Sequence, residues 1–311
     1  MNKLVKVLAA SALVATALVG CGKKDEGGAA ANDGAKYAKA GLGVVTSMGH
    51  SDAKEVNTTF AGIGLDKEGK IQWIKIDVAQ GTPGNKDAER TQTKLERKDD
   101  YAMKGASGIG KEWYEQIAAF EEQCKGKTPE EVAKFAVNEE GKATDADVKA
   151  GCTMAITDFQ KAVEAAAKNA QAVEANDLGL AAVMAYEKDY GGNENTYLST
   201  TMALVAKDGD KIVWADLDVA KIKNDGSSLK TKTELKGDYN MKQASGIQKE
   251  WFEQMATYEN WVKGKTLKDL TDIATGKTAE GSPAAKEGSD LAAGCTMAIN
   301  EFNAAIEKAM K

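Results

Sequence analysis

One block of sequence occurs twice in this chain, as Asp100-Tyr-Ala-Met-Lys-Gly-Ala-Ser-Gly-Ile-Gly-Lys-Glu-Trp-Tyr-Glu-Gln116 and as Asp238-Tyr-Asn-Met-Lys-Gln-Ala-Ser-Gly-Ile-Gln-Lys-Glu-Trp-Phe-Glu-Gln254. Each copy follows a strand-like segment ending in an aspartate. Each is followed by Gly-Lys-Thr (Gly126 to Thr128, Gly264 to Thr266) and then by Ala-Gly-Cys-Thr-Met-Ala-Ile (Ala150 to Ile156, Ala293 to Ile299). A tandem repeat of this kind limits the chain to two similar units. At 311 residues, each unit is long enough to bury a core of its own.

Composition removes several classes of function. Charged residues make up 28% and the net charge is -6, so the chain lacks the basic stripe that a phosphate backbone requires, and nucleic acid is not an expected partner. The single histidine, His50, cannot build a multi-histidine metal site, and no Cys-x-x-Cys-His sequence is present for haem attachment. His50 also has no counterpart in the second copy, which argues against a histidine-based hydrolase. No metal is expected, and any redox chemistry would need an organic cofactor.

The chain opens with Lys3 and Lys6 and an apolar run from Val7 to Val19 that is too short to span a bilayer, the pattern of an export signal over residues 1–20. The signal ends in Leu18-Val19-Gly20-Cys21, which resembles the lipobox of bacterial lipoproteins. That resemblance implies lipidation of Cys21 and a protein held to the cell membrane on its extracytoplasmic face. Residues 21–41 are rich in Gly, Ala, Lys and Asp without apolar periodicity and read as a flexible tether.

Strand-like runs follow at Val44 to Met48, Asn57 to Leu65 and Lys70 to Val78. Their counterparts are Leu180 to Tyr186, Thr196 to Ala206 and Lys211 to Val219. The turn clusters Asp66-Lys-Glu-Gly69 and Lys207-Asp-Gly-Asp210 predict antiparallel hairpins. Alternation in Ile71-Gln-Trp-Ile-Lys-Ile76 and Ile212-Val-Trp-Ala-Asp-Leu217 predicts a sheet with one packed and one solvated face. In the repeated block, Ser107 and Ser245 stand as expected N-caps, with Gln248 completing a capping box. Trp113 and Trp251 lead stripes at helical spacing that read as core, and Gly126 and Gly264 as helix stops. Thr128-Pro129 and Thr266 should start short helices. Met154 to Ala167 and Met297 to Met310 read as amphipathic closing helices, and the Ala-rich stretch to about Asn176 as a connection that could itself be helical. Glu112-Glu115 and Glu250-Glu253 read as solvated surface.

The second shared motif, Asp147-Val-Lys-Ala-Gly-Cys-Thr153 and Asp290-Leu-Ala-Ala-Gly-Cys-Thr296, combines a glycine, which permits close backbone approach, with a threonine able to cap the helix that follows. The first free N–H groups of such a helix suit a phosphate. This motif resembles that of the FMN-binding domain family, found in flavin-carrying subunits of Rnf and sodium-pumping quinone reductase complexes and in lipoproteins of extracellular electron transfer. There, Asp-x-x-Ser/Thr-Gly-Ala-Thr carries FMN linked through its phosphate to the final threonine by a dedicated flavin transferase. The strands running to Asp77 and Asp218 are similar to a second family feature.

The resemblance implies attachment at Thr153 and Thr296, with Gly151, Gly294, Asp147 and Asp290 as the remaining motif positions. It also implies a flavin transferase and redox partners. This chain departs from the motif in having Cys152 and Cys295 for alanine and Ala150 and Ala293 for the hydroxyl residue, and in placing Ala-Ile after each threonine. Tyr101, Met103, Trp113 and their counterparts Tyr239, Met241 and Trp251 could line a ring site. Cys152 and Cys295 read as small buried residues at a tight helix start, ahead of a disulfide or reactive thiol.

The fold expected is α+β, with tandem repeat domains at residues 42–170 and 177–311, each a small antiparallel sheet covered by helices. The expected function is that of a membrane-anchored extracytoplasmic FMN carrier for electron transfer. The alternative is a non-redox ligand- or protein-binding surface lipoprotein with a degenerate flavin site.

Overall fold

The computed structural model describes residues 35–49, 54–85, 90–188, 192 and 194–311. The export signal, Cys21, the tether up to residue 34 and His50 lie outside the described residues. The chain is α+β, with antiparallel sheets and helices whose order is similar in its two halves.

The first half begins with β1 (Tyr37–Met48), β2 (Val56–Leu65) and β3 (Ile71–Gly81). The turn between β2 and β3 is the expected one. Asp66 accepts from the Glu68 and Lys70 amides, and Gly69 takes φ +79°, a conformation that suits glycine. The short helix α1 (Lys94–Arg97) and a 3₁₀ turn (Lys98–Tyr101) lead into the repeated block, followed by α2 (Trp113–Cys124), α3 (Pro129–Val132), α4 (Ala146–Gly151) and α5 (Thr157–Asn169). The second half runs β4 (Gln171–Ala175), β5 (Asp177–Lys188), β6 (Asn195–Asp208), β7 (Lys211–Lys223), α6 (Lys232–Leu235), α7 (Trp251–Val262), α8 (Leu267–Ile273), the small strands β8 (Gly276–Lys277) and β9 (Pro283–Ala284), and α9 (Asn300–Met310).

Sheet order is β3-β2-β1-β4 in one sheet and β5-β6-β7 in the other. Helices α2 and α5 cover the outer face of the first sheet, where Ile63, Ile74 and Ile76 pack with Trp113, Ile117, Phe120 and Phe159. Helices α7 and α9 cover the second in the same way. The remaining faces of the two sheets meet in a third apolar cluster. Leu42, Phe60 and Ala79 of the first sheet join Leu180, Met202, Leu204 and Trp214 of the second.

The expected solvated face is therefore absent from these sheets, because each sheet is the other's cover. The pattern of β2, in which nine of its ten residues are buried, is that of a strand packed on both sides. The layers run helix, sheet, sheet, helix.

Other differences from expectation have local causes. Tyr37 to Gly41, assigned to the tether, form the start of β1, because Tyr37 and Ala40 are buried in the inter-sheet cluster and pair with β4. The connection to about Asn176, which could have been helical throughout, is helical only to Asn169 and then forms β4, extended by that pairing. Ser107 and Ser245 do not cap a helix. Gly110 and Gln248 adopt positive φ (+63° and +55°) and interrupt helical geometry, so α2 and α7 start only at Trp113 and Trp251, capped by Glu112 and Glu250. Glu112-Glu115 and Glu250-Glu253 are thus capping boxes rather than free surface, and Glu112 is buried. Gly126 and Gly264 end their helices with φ +77° and +76°, and Thr128 and Thr266 cap α3 and α8, as expected.

A core shared by both sheets should make the two halves unfold together. Phe60→Ala, about 3–5 kcal/mol of lost burial, and Met202→Ala, about 2–5 kcal/mol, should each move a single denaturant transition of the whole chain. Circular dichroism and tryptophan fluorescence should report the same midpoint in each variant, and two separated transitions would contradict the shared core.

Candidate functional site

The two repeated motifs are held to each other by one buried glutamine in each half. In the first, Gln116 donates from Nε2 to Ser107 Oγ (2.8 Å) and the Lys111 carbonyl (3.1 Å), and accepts at Oε1 from the Thr153 amide (2.9 Å) and hydroxyl (3.1 Å). In the second, Gln254 donates to Ser245 Oγ (3.0 Å) and the Lys249 carbonyl (3.2 Å) and accepts from the Thr296 amide (2.9 Å) and hydroxyl (3.3 Å). Both glutamines have no exposed surface, and each amide is satisfied on both ends, which fixes the loop over the block to the threonine of the second motif.

The threonines accordingly do not cap the helices that follow. The N-caps of α5 and α9 are Ile156 and Ile299, without a side-chain cap. Gly151 and Gly294 lie where a Cβ would come within 2.7 Å of Ala119 Cβ and 2.6 Å of Thr257 Cγ2. Their use in the structure is thus close packing against α2 and α7. Asp147 and Asp290 are exposed. Cys152 and Cys295 are fully buried free thiols whose pKa burial pushes up to about 11, so they are not poised as thiolates. Cys152 ends α4 rather than starting a helix. Cys124 is likewise a buried free thiol.

Each half also holds the same lysine over two aromatic rings. Lys94 Nζ stands 4.9 Å from the Tyr101 ring centroid and 5.8 Å from that of Trp113. Lys232 stands 5.1 Å from Tyr239 and 5.6 Å from Trp251. Trp113 and Trp251 are core residues as expected, each 2% exposed and edge-on to Phe159 or Phe302. In the second half these groups line a cavity of about 720 Å³, whose wall includes Lys232, Tyr239, Met241, Ser245, Trp251 and Thr296. Its volume falls within the range of about 300–1,000 Å³ usual for small-molecule sites. From the second motif the wall takes Thr296, Met297 and Ala298. Lys277, Glu187, Glu280 and Glu301 place charges of both signs around it.

Behind each site, carboxylates close the outer edge of the sheet. Glu121 accepts from the Ile76 amide (2.6 Å) and Glu259 from the Leu217 amide (2.8 Å), N–H groups that an edge strand would otherwise leave free. Loss of solvation pushes Glu121 up to about 7. It pushes Glu259 up to about 8, with the neighbouring Asp216 adding repulsion where the first half has Lys75. The aspartates Asp77 and Asp218 lie within β3 and β7, which run on past them; raised to about 6 by burial, they bind the amides of Leu95 and Thr233 and so set the start of α1 and α6. Among the described residues, no group of three or more His, Cys, Asp or Glu side chains could hold a metal ion, and no helix is long and apolar enough to cross a membrane.

No family model matches the chain, and no solved structure matches it. Among curated proteins it is similar to the chlorophenol reductase of Desulfitobacterium hafniense, 31% identical over 122 residues, which covers 32% of this chain and 37% of that relative.

Sequence reasoning missed the glutamines, although both repeated blocks end on them, because their i+3 spacing from Trp113 and Trp251, which places them beside the core stripe, was outweighed by their polar side chains. It also missed Glu121 and Glu259. Their signal was present only as a carboxylate one position after Phe120 and Tyr258 in otherwise apolar stripes.

Replacing Gln254 with Leu should leave the Ser245, Thr296 and Lys249 groups without their partner and cost about 1–3 kcal/mol, while freeing the Thr296 amide to fast hydrogen exchange. An unchanged exchange rate at Thr296 would contradict the tie.

A pH dependence follows from the raised carboxyls. Their folded pKa values lie above those of the unfolded chain, so the native state keeps protons that the unfolded chain releases. This contribution is full below about pH 4 and is lost as pH rises through the folded values near 7 and 8. Glu259→Gln keeps an oxygen for the Leu217 amide and cannot ionise. Urea midpoints measured from pH 5 to 9 should therefore fall less steeply in this variant than in the parent, and equal slopes would refute the assignment.

Proposed function

We propose that the chain is a membrane-anchored, extracytoplasmic carrier of FMN that passes electrons between partners rather than turning over a substrate of its own. Thr296 is the attachment residue in the second half and Thr153 its counterpart in the first. The observation that carries the reading is the cavity of about 720 Å³ that has Thr296 in its wall together with an aromatic pair and a lysine.

The residues present suit a flavin mononucleotide. Thr296 is exposed, and its hydroxyl is held only by a 3.3 Å hydrogen bond to Gln254, so it is available for a phosphodiester link. Lys232 and Lys277 supply positive charge for a phosphate, and Tyr239, Met241 and Trp251 supply an apolar wall for a ring. When bound, FMN would supply the one- and two-electron chemistry. This chain's residues would fix its position and exclude water from its buried side, with Gln254 holding the threonine backbone at 2.9 Å. The relative from Desulfitobacterium hafniense is named for a reduction, which is in keeping with a redox setting and says nothing of FMN. The chain spans 37% of its length.

The test is the intact mass and in-gel fluorescence, after denaturation, of protein taken from its native envelope or co-produced with a flavin transferase. The expected result is added mass of one or two FMN units with fluorescence that survives denaturation. Thr296→Ala should remove one unit and Thr153→Ala any second. Retention of all flavin in the double variant would refute attachment at these residues. Absence of both added mass and flavin absorbance from the native protein would favour the non-redox binding lipoprotein.

A further inference from the structure

The two halves meet along two equivalent seams, β1 beside β7 and β3 beside β5. Register makes the comparison residue by residue. One row across the first sheet is Leu42, Gly62, Lys75, and the matching row across the second is Leu180, Leu204, Asp216. At the first seam, the backbone of β1 beyond the end of β4 is closed by side chains. The Leu42 amide donates to Asp216 Oδ2 at 3.3 Å, and the Leu42 carbonyl accepts from Asn169 Nδ2 at 3.0 Å.

At the second seam, the position equivalent to Asp216 is Lys75. The Ala182 carbonyl accepts from Lys308 Nζ at 3.1 Å, so it points outward from the sheet edge. In an antiparallel strand the N–H and C=O of one residue share a side, and residues two apart share it too. The amides of Leu180 and Ala182 therefore face the same opening. That opening is a cavity of about 300 Å³, lined by Leu180 to Ala182 and by Lys75, Lys98, Lys308 and Lys311. The two carboxylates in its wall already have partners. Glu96 binds Lys308 (2.6 Å) and the Thr93 amide (2.9 Å), and Asp77 binds the Val78 and Leu95 amides (2.7 and 3.0 Å). Backbone N–H groups, with the Ala182 carbonyl already taken by Lys308, thus share the opening with the ammonium groups of Lys75, Lys98 and Lys311, where the sister seam supplies a carboxylate.

We propose that this cavity binds a small oxyanion, a carboxylate or a phosphate, which takes at Leu180 the place that the Asp216 carboxylate takes at Leu42. The anion accepts from the Leu180 amide, its charge is balanced by Lys75, and it joins β5 of the second half to β3 of the first. The site is separate from the Thr296 cavity and does not depend on flavin being bound there. Binding to the folded chain alone stabilises it in proportion to occupancy.

The test titrates the full chain with inorganic phosphate and, separately, with acetate, each at constant ionic strength set with sodium chloride, and follows the backbone amide resonances of Leu180 and Ala182. Saturable shifts of both amides are expected below about 10 mM of at least one anion, with a rise in thermal midpoint over the chloride control. The anion that saturates first assigns the class. In Lys75→Asp, whose carboxylate would sit at Leu180 as Asp216 sits at Leu42, the Leu180 resonance should already be displaced and the anion response lost. Should that variant fail to fold, Lys75→Met keeps the aliphatic stem and should weaken the response at least tenfold. No saturable shift at Leu180 with either anion, or the same shift in the Lys75 variants, would overturn the proposal.

Discussion

A sheet with apolar side chains on both faces has to be covered twice, and here the second cover is the other sheet. Helices account for one side of each. The inner faces, from Leu42, Phe60 and Ala79 on one sheet to Leu180, Met202 and Trp214 on the other, have nothing but each other. The consequences reach the termini of each half. Residues 37–41 are drawn out of what reads as a tether and into β1, and the connection after α5 becomes β4, because both must seal the end of that packed pair. Even the edge backbone is managed across the seam, where Asp216 of one half closes the Leu42 amide of the other.

This packing explains why sequence showed some features of the fold and hid others. Hairpin turns are local: glycine at positive φ and an aspartate binding the next amides announce themselves at Asp66 to Gly69. Helix stops at Gly126 and Gly264 are local in the same way. The second cover of the sheet is a long-range fact. The alternation in β3 and β7 gave a polar residue every second position, which suggests water. Yet Lys75 and Asp216 sit at the rim of the inter-sheet contact, and Trp73 and Trp214, on the same face, belong to its cluster. A polar residue at a seam and one on an open face look alike in one dimension. The start of α2 was misplaced for a related reason. The Ser107 to Gln116 stretch has helical spacing, but Gly110 and Gln248 take left-handed backbone so that the loop can fold back onto its own glutamine.

The glutamines also explain why two separate motifs are repeated together. Gln116 and Gln254 end the first block and bind the threonine of the second, so neither block has a fixed geometry without the other. The candidate site was legible in sequence at Thr296 and at the aromatic positions, which the structure does bring to one cavity. Other motif positions have simpler uses. Gly151 and Gly294 let a turn pass close to a helix, and Cys152 and Cys295 fill space.

Where the halves agree, the residue answers to the fold; where they differ, the fold leaves room for something else. The aspartates Asp77 and Asp218, the edge-closing glutamates, the glutamine tie and the lysine over two rings recur in both halves, in equivalent places and with near-equal distances, so the same local packing holds them in each half. Lys75 against Asp216 is different in kind. The two residues hold equivalent register positions in their sheets, each beside a leucine of the facing half's strand, and the charge is reversed. A fold that needed only to close its edges would keep the carboxylate on both sides, since it satisfies an amide directly. Exchanging it for a cation leaves that amide, with Lys75 beside it, facing an opening lined by three further lysines. That arrangement is completed by an anion from outside the chain.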